Sequence, residues 1–133
     1  MLQAPKTAAF APVSAALVGT ATANSSTYVT LKSASITADG NTEVQILADV
    51  SFFTFTGSVG NGFQLGILRD GSQVKSLVFY VTQTSNLFLD GRTMFFEDTP
   101  SSGTHAYAIA ISTQGGGTIT GHNANITIRA VSS

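Results

Sequence analysis

Thr42–Phe55 is the strongest strand signal in this chain, and it narrows the possible folds more than any single motif. Val44, Ile46, Ala48, Val50 and Phe52 share one face of an extended segment, opposed by Glu43, Gln45, Asp49 and Ser51. Side chains of a strand point alternately to opposite faces, so the apolar set requires a second apolar layer across from it. Phe53 and Phe55 fall on the outer face. That predicts either a second buried surface or a bulge that flips the alternation.

The same signature recurs in shorter form. Strands are expected near Val13–Thr20 and over Tyr28–Thr37, the latter closed by Asp39-Gly40-Asn41. Phe63–Asp70 and Ser72–Thr84 flank Arg69-Asp70-Gly71-Ser72, and Asp-Gly between two alternating runs is a strong hairpin cue. Leu87-Phe88-Leu89 leads to an expected turn at Asp90-Gly91 and a strand over Arg92–Asp98. Beyond Thr99-Pro100-Ser101-Ser102-Gly103, a strand from Thr104 to about Thr113 puts His105, Tyr107, Ile109 and Ile111 on one face. Ala106, Ala108 and Ala110 take the other, so one face belongs to a core and the other is closely covered. Gly115-Gly116-Gly117 turns the chain into a final pair, Thr118–Gly121 and Asn125–Val131. Eight or nine strands, and no helical period beyond a turn or two, predict an all-β chain. The fold class is a single antiparallel β-sandwich, a jelly roll of about eight strands over residues 13–133, with an extended N-terminal arm at residues 1–12.

Composition then bears on what such a sandwich does. Only 10% of residues are charged, against about 25% in an average soluble domain. Ser and Thr supply 33 of the 133 residues, and 43% are hydrophobic. A polar but uncharged surface of this kind fits a subunit largely covered by neighbours. Six basic and seven acidic residues give neither a polycationic footprint for nucleic acid nor a patch for a membrane. No apolar run reaches the roughly eighteen residues of a membrane helix. Cysteine is absent, which excludes disulfides and thiolate chemistry. Met1–Ala23 imitates a secretory signal, but Pro5 and Pro12 interrupt it and Lys6 is its single positive charge.

Chemistry-bearing residues are sparse. Glu97 and Asp98 are adjacent and point to opposite faces of a strand, whereas a glycosidase needs two carboxylates converging on one cleft. His105 and His122 would need Asp98 or Asp90 beside them for a triad or a zinc site, and no metal-binding spacing supports this. Gly115–Gly117 is followed by neither the lysine nor the helix of a phosphate loop. Trp is absent, and Tyr28, Tyr80 and Tyr107 fall within expected strands rather than on sugar-binding loops. The reading is a non-enzyme, with no catalytic residue, cofactor or metal.

Ile67-Leu68-Arg69-Asp70-Gly71-Ser72, then Glu97-Asp98-Thr99-Pro100-Ser101-Ser102-Gly103-Thr104-His105-Ala106-Tyr107, and the closing Ile126–Val131 resemble trimeric β-sandwich modules of bacteriophage virions. These include capsid decoration (cement) proteins and tail-fibre head domains with jelly-roll or TNF-like folds. The resemblance spans residues 42–131 and transfers no functional site. It implies a virion structural protein, assembled in the host cytoplasm: a trimeric decoration protein that stabilises the head by bridging capsid subunits. A tail-fibre, receptor-binding or carbohydrate-binding module is the alternative. The expected partners are two further copies of the chain and the major capsid protein or another virion protein, with neither nucleic acid nor membrane. On that reading the arm grips the capsid through Met1, Leu2, Gln3, Ala4, Pro5, Lys6 and Phe10. Phe53, Phe55, Phe79, Phe88, Phe95 and Phe96 exceed what one small sandwich needs, so the expected trimer interface takes Phe53, Phe55, Phe79, Phe95 and Phe96 with His105 and Tyr107.

Overall fold

The computed structural model describes residues 8–10, 19–57, 61–80 and 87–131, which form nine strands and no helix. They are β1 (Ala8–Phe10), β2 (Gly19–Ala23), β3 (Val29–Ala38), β4 (Glu43–Thr56), β5 (Gly62–Arg69), β6 (Ser72–Tyr80), β7 (Leu87–Asp98), β8 (Gly103–Gln114) and β9 (Thr118–Val131). β5 pairs with β6, β4 with β7, β3 with β8 and β2 with β9, all antiparallel. The chain is thus one long hairpin. Rolled up, it adds β4·β9 and β5·β8 ladders that close it into sheets ordered β2-β9-β4-β7 and β3-β8-β5-β6. That nesting is the jelly roll. The tip of the hairpin is Asp70-Gly71, with φ of 50° and 86°, the paired left-handed conformation of a type I′ turn.

The core forms between the sheets. Val44, Ile46, Ala48 and Val50 of β4 and Ile126 and Ile128 of β9 meet Leu65 and Ile67 of β5 and Tyr107, Ile109 and Ile111 of β8. The small face of β8 is covered only in part: Ala108 and Ala110 form a second cluster with Leu68, against which Tyr28 packs, whereas Ala106 is exposed. Tyr28 lies so close over Gly66 that a Cβ there would come within 2.7 Å of its hydroxyl oxygen. Its hydroxyl donates to Gln73 Oε1 at 2.7 Å.

Two expected turns are absent, and one structural event replaces both. The strand over Leu87–Asp98 is continuous through Asp90-Gly91, and Thr118–Val131 is continuous through Gly121–Asn125. Burial changes face in both, as it does in β4, where Val50 is inward but Phe53 and Phe55 are inward too. The switch falls on one row across the sheet. Ser51 stands opposite Gly91 on one side and Asn123 on the other, and both pairs are missing from otherwise unshifted ladders. Asn123 has φ of 56°, and Ser51 Oγ donates to its carbonyl at 3.1 Å. A Cβ on Gly91 would overlap the carbonyl oxygens of Val50 and Ser51. β2 shifts register at the same level, between Gly19 and Ala21. Glycine and a left-handed asparagine read as turn signals because both permit backbone geometry that other residues resist. Here they serve a fault line within a sheet. Phe52 leaves the core face at this row and stacks on His122, with centroids 4.3 Å apart.

Three residues of the expected arm lie on the chain's own sheet. Ala8–Phe10 pair with Val131–Arg129 of their own β9, where that strand would otherwise present unpaired backbone groups. Met1, Leu2, Gln3, Ala4, Pro5 and Lys6, and the expected strand start at Val13, lie outside the described residues.

Candidate functional site

Two of the three motifs that carry the resemblance come together at the end of the sandwich. Arg69 Nη1 donates to Asp98 Oδ2 at 2.5 Å, and the Tyr107 hydroxyl donates to the same oxygen at 2.7 Å. One residue on, Asp70 Oδ1 accepts from the Ala106 backbone N–H at 2.9 Å, and its Oδ2 lies 2.6 Å from His105 Nδ1. His105 Nε2 lies 2.7 Å from the Ser101 carbonyl oxygen. Arg-Asp-Gly and the Asp-Thr-Pro to His-x-Tyr segment are thus two halves of one clamp, tying the hairpin tip to the β7–β8 turn.

Electrostatics follow from these contacts. Burial opposes ionisation of Asp98, but Arg69 and Tyr107 together hold its carboxyl below the ordinary range. Burial first, and then the Asp98 carboxylate, push the Tyr107 phenol upward. The Asp70 carboxylate, and secondarily the Ser101 carbonyl, raise His105; His105 and the Ala106 N–H lower Asp70.

Ser101, His105 and Asp70 have the composition of a catalytic triad, with Ser101 Oγ 3.5 Å from Nε2. The geometry does not suit that chemistry. A triad histidine accepts the serine proton on a neutral Nε2. Here both ring nitrogens face oxygen acceptors, an arrangement that calls for a proton on each. His105 therefore converges with Asp70, not with Asp98 or Asp90 as the triad test required, and acts as a charged strap. His122 Nε2 lies 3.0 Å from Thr54 Oγ1. Among the described residues no group of three or more ligating side chains could hold a metal. Glu97 and Asp98 do point apart, Asp98 into the clamp and Glu97 to solvent.

The strap has a pH signature. A raised histidine pKa contributes stability that is complete below the unfolded value of 6.5 and is lost as pH rises through the folded value. The lowered Asp70 and Asp98 values contribute stability above 3.8 that is lost as pH falls through their folded values. Melting temperature is expected to fall more steeply as pH rises from about 6 in the wild type than in His105→Gln, whose side-chain amide does not titrate. Parallel melting profiles would remove the charged strap from the account.

The expected trimer residues divide in the structure. Phe53, Phe55 and Tyr107 are 0–1% exposed within a single chain, so they belong to the core and not to an interface. The fault line turns both phenylalanines inward. Phe96 and Phe79 are half-buried against the core, and His105 is held in the clamp. Phe95 alone of the set is largely open, at 47%.

Phe95 sits on the outer face of β9-β4-β7, beside Leu47 (also 47% exposed) and across from Thr127. Gln45, Leu47, Phe95, Thr127 and Arg129 line a depression of about 220 Å³. Arg129 Nε donates to Gln45 Oε1 at 2.9 Å. Glu97 carries a raised pKa because its carboxyl hydrogen-bonds Glu43. Sequence reasoning missed Leu47 and Arg129 here. The available signal was Leu47 itself, an apolar residue in the polar set Glu43, Gln45, Asp49.

A second open apolar area lies on edge strand β6, where Leu77, Val78 and Tyr80 are exposed. Lys75 Nζ donates from that strand to the Phe95 carbonyl at 2.6 Å, and the Arg92 guanidinium lies 4.9 Å from the Phe79 ring centroid. Phe63, Phe79, Tyr80, Leu89, Asp90 and Arg92 line a depression of about 280 Å³ along this flank.

No protein-family model matches the sequence, and no curated protein matches it. Among solved structures, dimeric latent PorU from Porphyromonas gingivalis aligns over 97% of this chain and 13% of its own, at 10% identity and a TM-score of 0.51. A structure of infectious bursal disease virus Gx strain aligns over 96% and 32%, at 17% identity and a TM-score of 0.39. The enzymatically active domain of tailspike protein 4 from Bacteriophage CBA120 aligns over 91% and 19%, at 15% identity and a TM-score of 0.31. The chain spans a third or less of each. The first of these likenesses concerns the fold alone.

Proposed function

We propose that this protein is a structural component of a virus particle, a homotrimeric capsid decoration protein that bridges neighbouring capsid subunits. The observation that carries the reading is the pair of separate open apolar areas, on edge strand β6 and around Leu47–Phe95, in a chain with few charges. A protein that bridges needs more than one contact surface. The clamp, by fixing the hairpin tip, keeps the sandwich between those surfaces stiff. The three-fold contact is assigned to the β6 flank, where Phe79 reaches the surface with Leu77 and Tyr80 around it. The capsid grip is assigned to the segment preceding β1.

Deleting residues 1–7 is expected to abolish decoration of capsids while the sandwich keeps its melting temperature within a few degrees. Full occupancy by the truncated protein, measured by capsid co-sedimentation, refutes the grip. Particles lacking the protein should lose resistance to heat or osmotic shock and retain host adsorption.

One observation favours a receptor- or carbohydrate-binding module instead. Tyr80 is 65% exposed and lies with Asp90 and Arg92 in one depression, an aromatic face beside polar groups suited to sugar hydroxyls. Binding on a glycan array that is lost in Tyr80→Ala selects that reading.

A further inference from the structure

We propose that the outer face of β9-β4-β7 is a two-fold contact with a second copy of this chain, in which Glu97 of each copy pairs with Arg129 of the other. The inference rests on the assembly reading above and adds an occupant for this face. Three cross-strand rows define the surface. Glu97, Gln45 and Arg129 form the first, Phe95, Leu47 and Thr127 the second, and Thr93, Asp49 and Asn125 the third. All belong to the face turned away from the core, since Met94, Ile46, Ala48, Ile126 and Ile128 point inward between them.

The first two rows are self-complementary. Sheets pack face to face with their strands roughly aligned, within about 30°. A two-fold axis lying in such an interface and parallel to β4 keeps each row opposite itself and exchanges its two ends. Row one then sets the carboxylate of Glu97 against the guanidinium of Arg129 of the second copy, twice. Row two sets Leu47 against its own copy and the Phe95 ring against the Thr127 methyl group. Row three sets Thr93 against Asn125 and brings Asp49 opposite its own copy, a like-charge contact that the paired ends of row one must outweigh.

The chemistry within one chain points the same way. Glu97 and Glu43 share a hydrogen bond between carboxyls, which holds a proton on the pair that a cation placed beside it would release. The same-row cation, Arg129, lies on the far side of Gln45 and bonds to it. A second copy brings its guanidinium over the carboxylates without disturbing either strand. The depression of about 220 Å³ around Leu47 and Phe95 is where the two apolar rows would interlock. A three-fold axis cannot bring this face onto itself, because face-to-face contact of identical patches is isologous. This contact is therefore separate from the trimer and doubles whatever unit the β6 flank forms.

The test is the mass of the purified full chain, by sedimentation at micromolar to tens of micromolar concentration, with thermal melting confirming the fold. Glu97→Arg and Arg129→Glu are each expected to halve the mass of the assembly and to raise its dissociation constant at least about tenfold. The double variant restores the pair with its charges exchanged and should return the constant to within about threefold of wild type. Equal masses for wild type and single variants overturn the proposal, as does a double variant that stays dissociated. Phe95→Ser that keeps the wild-type mass but no longer decorates capsids puts a capsid subunit on this face and also overturns it. Since sedimentation uses no capsid, a wild-type chain that keeps the two-fold contact but does not decorate capsids counts only against the virion reading.

Discussion

A Gly91→Ala variant is expected to lose about 3 kcal/mol of folding stability or more, read as a lowered urea midpoint at unchanged slope. The added methyl group is small, but it would overlap the Val50 and Ser51 carbonyl oxygens, which belong to the backbone of the central strand β4. A side chain can rotate away from a clash. A carbonyl in a ladder can move only if the strand moves, and β4 pairs with both β7 and β9. Relief would also disturb Asn123, whose carbonyl accepts from Ser51 Oγ. Gly71→Ala is the control. Its φ of 86° makes alanine strained, but nothing lies within 4 Å of the added carbon, so the loss should stay near about 1 kcal/mol. Equal losses at the two sites would mean that the fault line yields freely.

The second large effect is expected at Phe53→Ala, which should cost about 3–5 kcal/mol and leave the mass of the assembly unchanged wherever the variant is folded. Phe53 is 0% exposed, and its ring centroid lies 4.9 Å from that of Phe63, which in turn stands 5.0 Å from Phe79. The three rings run from the core to the flank beneath Arg92. Removing the innermost leaves a cavity bounded by strands of both sheets, which cannot collapse far without breaking ladders. Denaturation and sedimentation of the same samples separate the two possible roles of the residue. A variant within about 1 kcal/mol of wild type but altered in mass would return Phe53 to the interface.

These two sites also show what made the open outer patch hard to find. Phe53 and Phe55 look outward when alternation is counted along β4 alone, and counting them outward produced an apparent excess of apolar surface. The excess shrinks once the row Ser51, Gly91, Asn123 is seen to flip three strands together. What survives is Phe95 with Leu47, neighbours across β4 and β7 that are 48 positions apart in the chain. Phe95 and Phe96 divide between the two faces: Phe96 packs against the core and Phe95 faces solvent. Its neighbour Leu47, and the charged ends Glu97 and Arg129, came together only through strand pairing.

The clamp divides in the same way. Asp-Gly located the β5–β6 turn, and Pro-Ser-Ser-Gly located the β7–β8 turn, because glycine and proline act on the backbone within a few residues of themselves. That the two turns meet, with His105 on Asp70 and Arg69 on Asp98, depends on rolling the hairpin so that β5 lies beside β8.

By itself the sequence determined the all-β class, the hairpin tip and most strands, since alternation and turn chemistry are local properties of the chain. Tertiary structure decided that Asp90-Gly91 and His122-Asn123 continue strands rather than end them, because only a neighbouring backbone pressed against Gly91 explains a glycine there. It also decided which phenylalanine is left open. A side chain's face is set by strand alternation, but whether that face is covered depends on the layer packed against it, and that layer comes from distant parts of the chain.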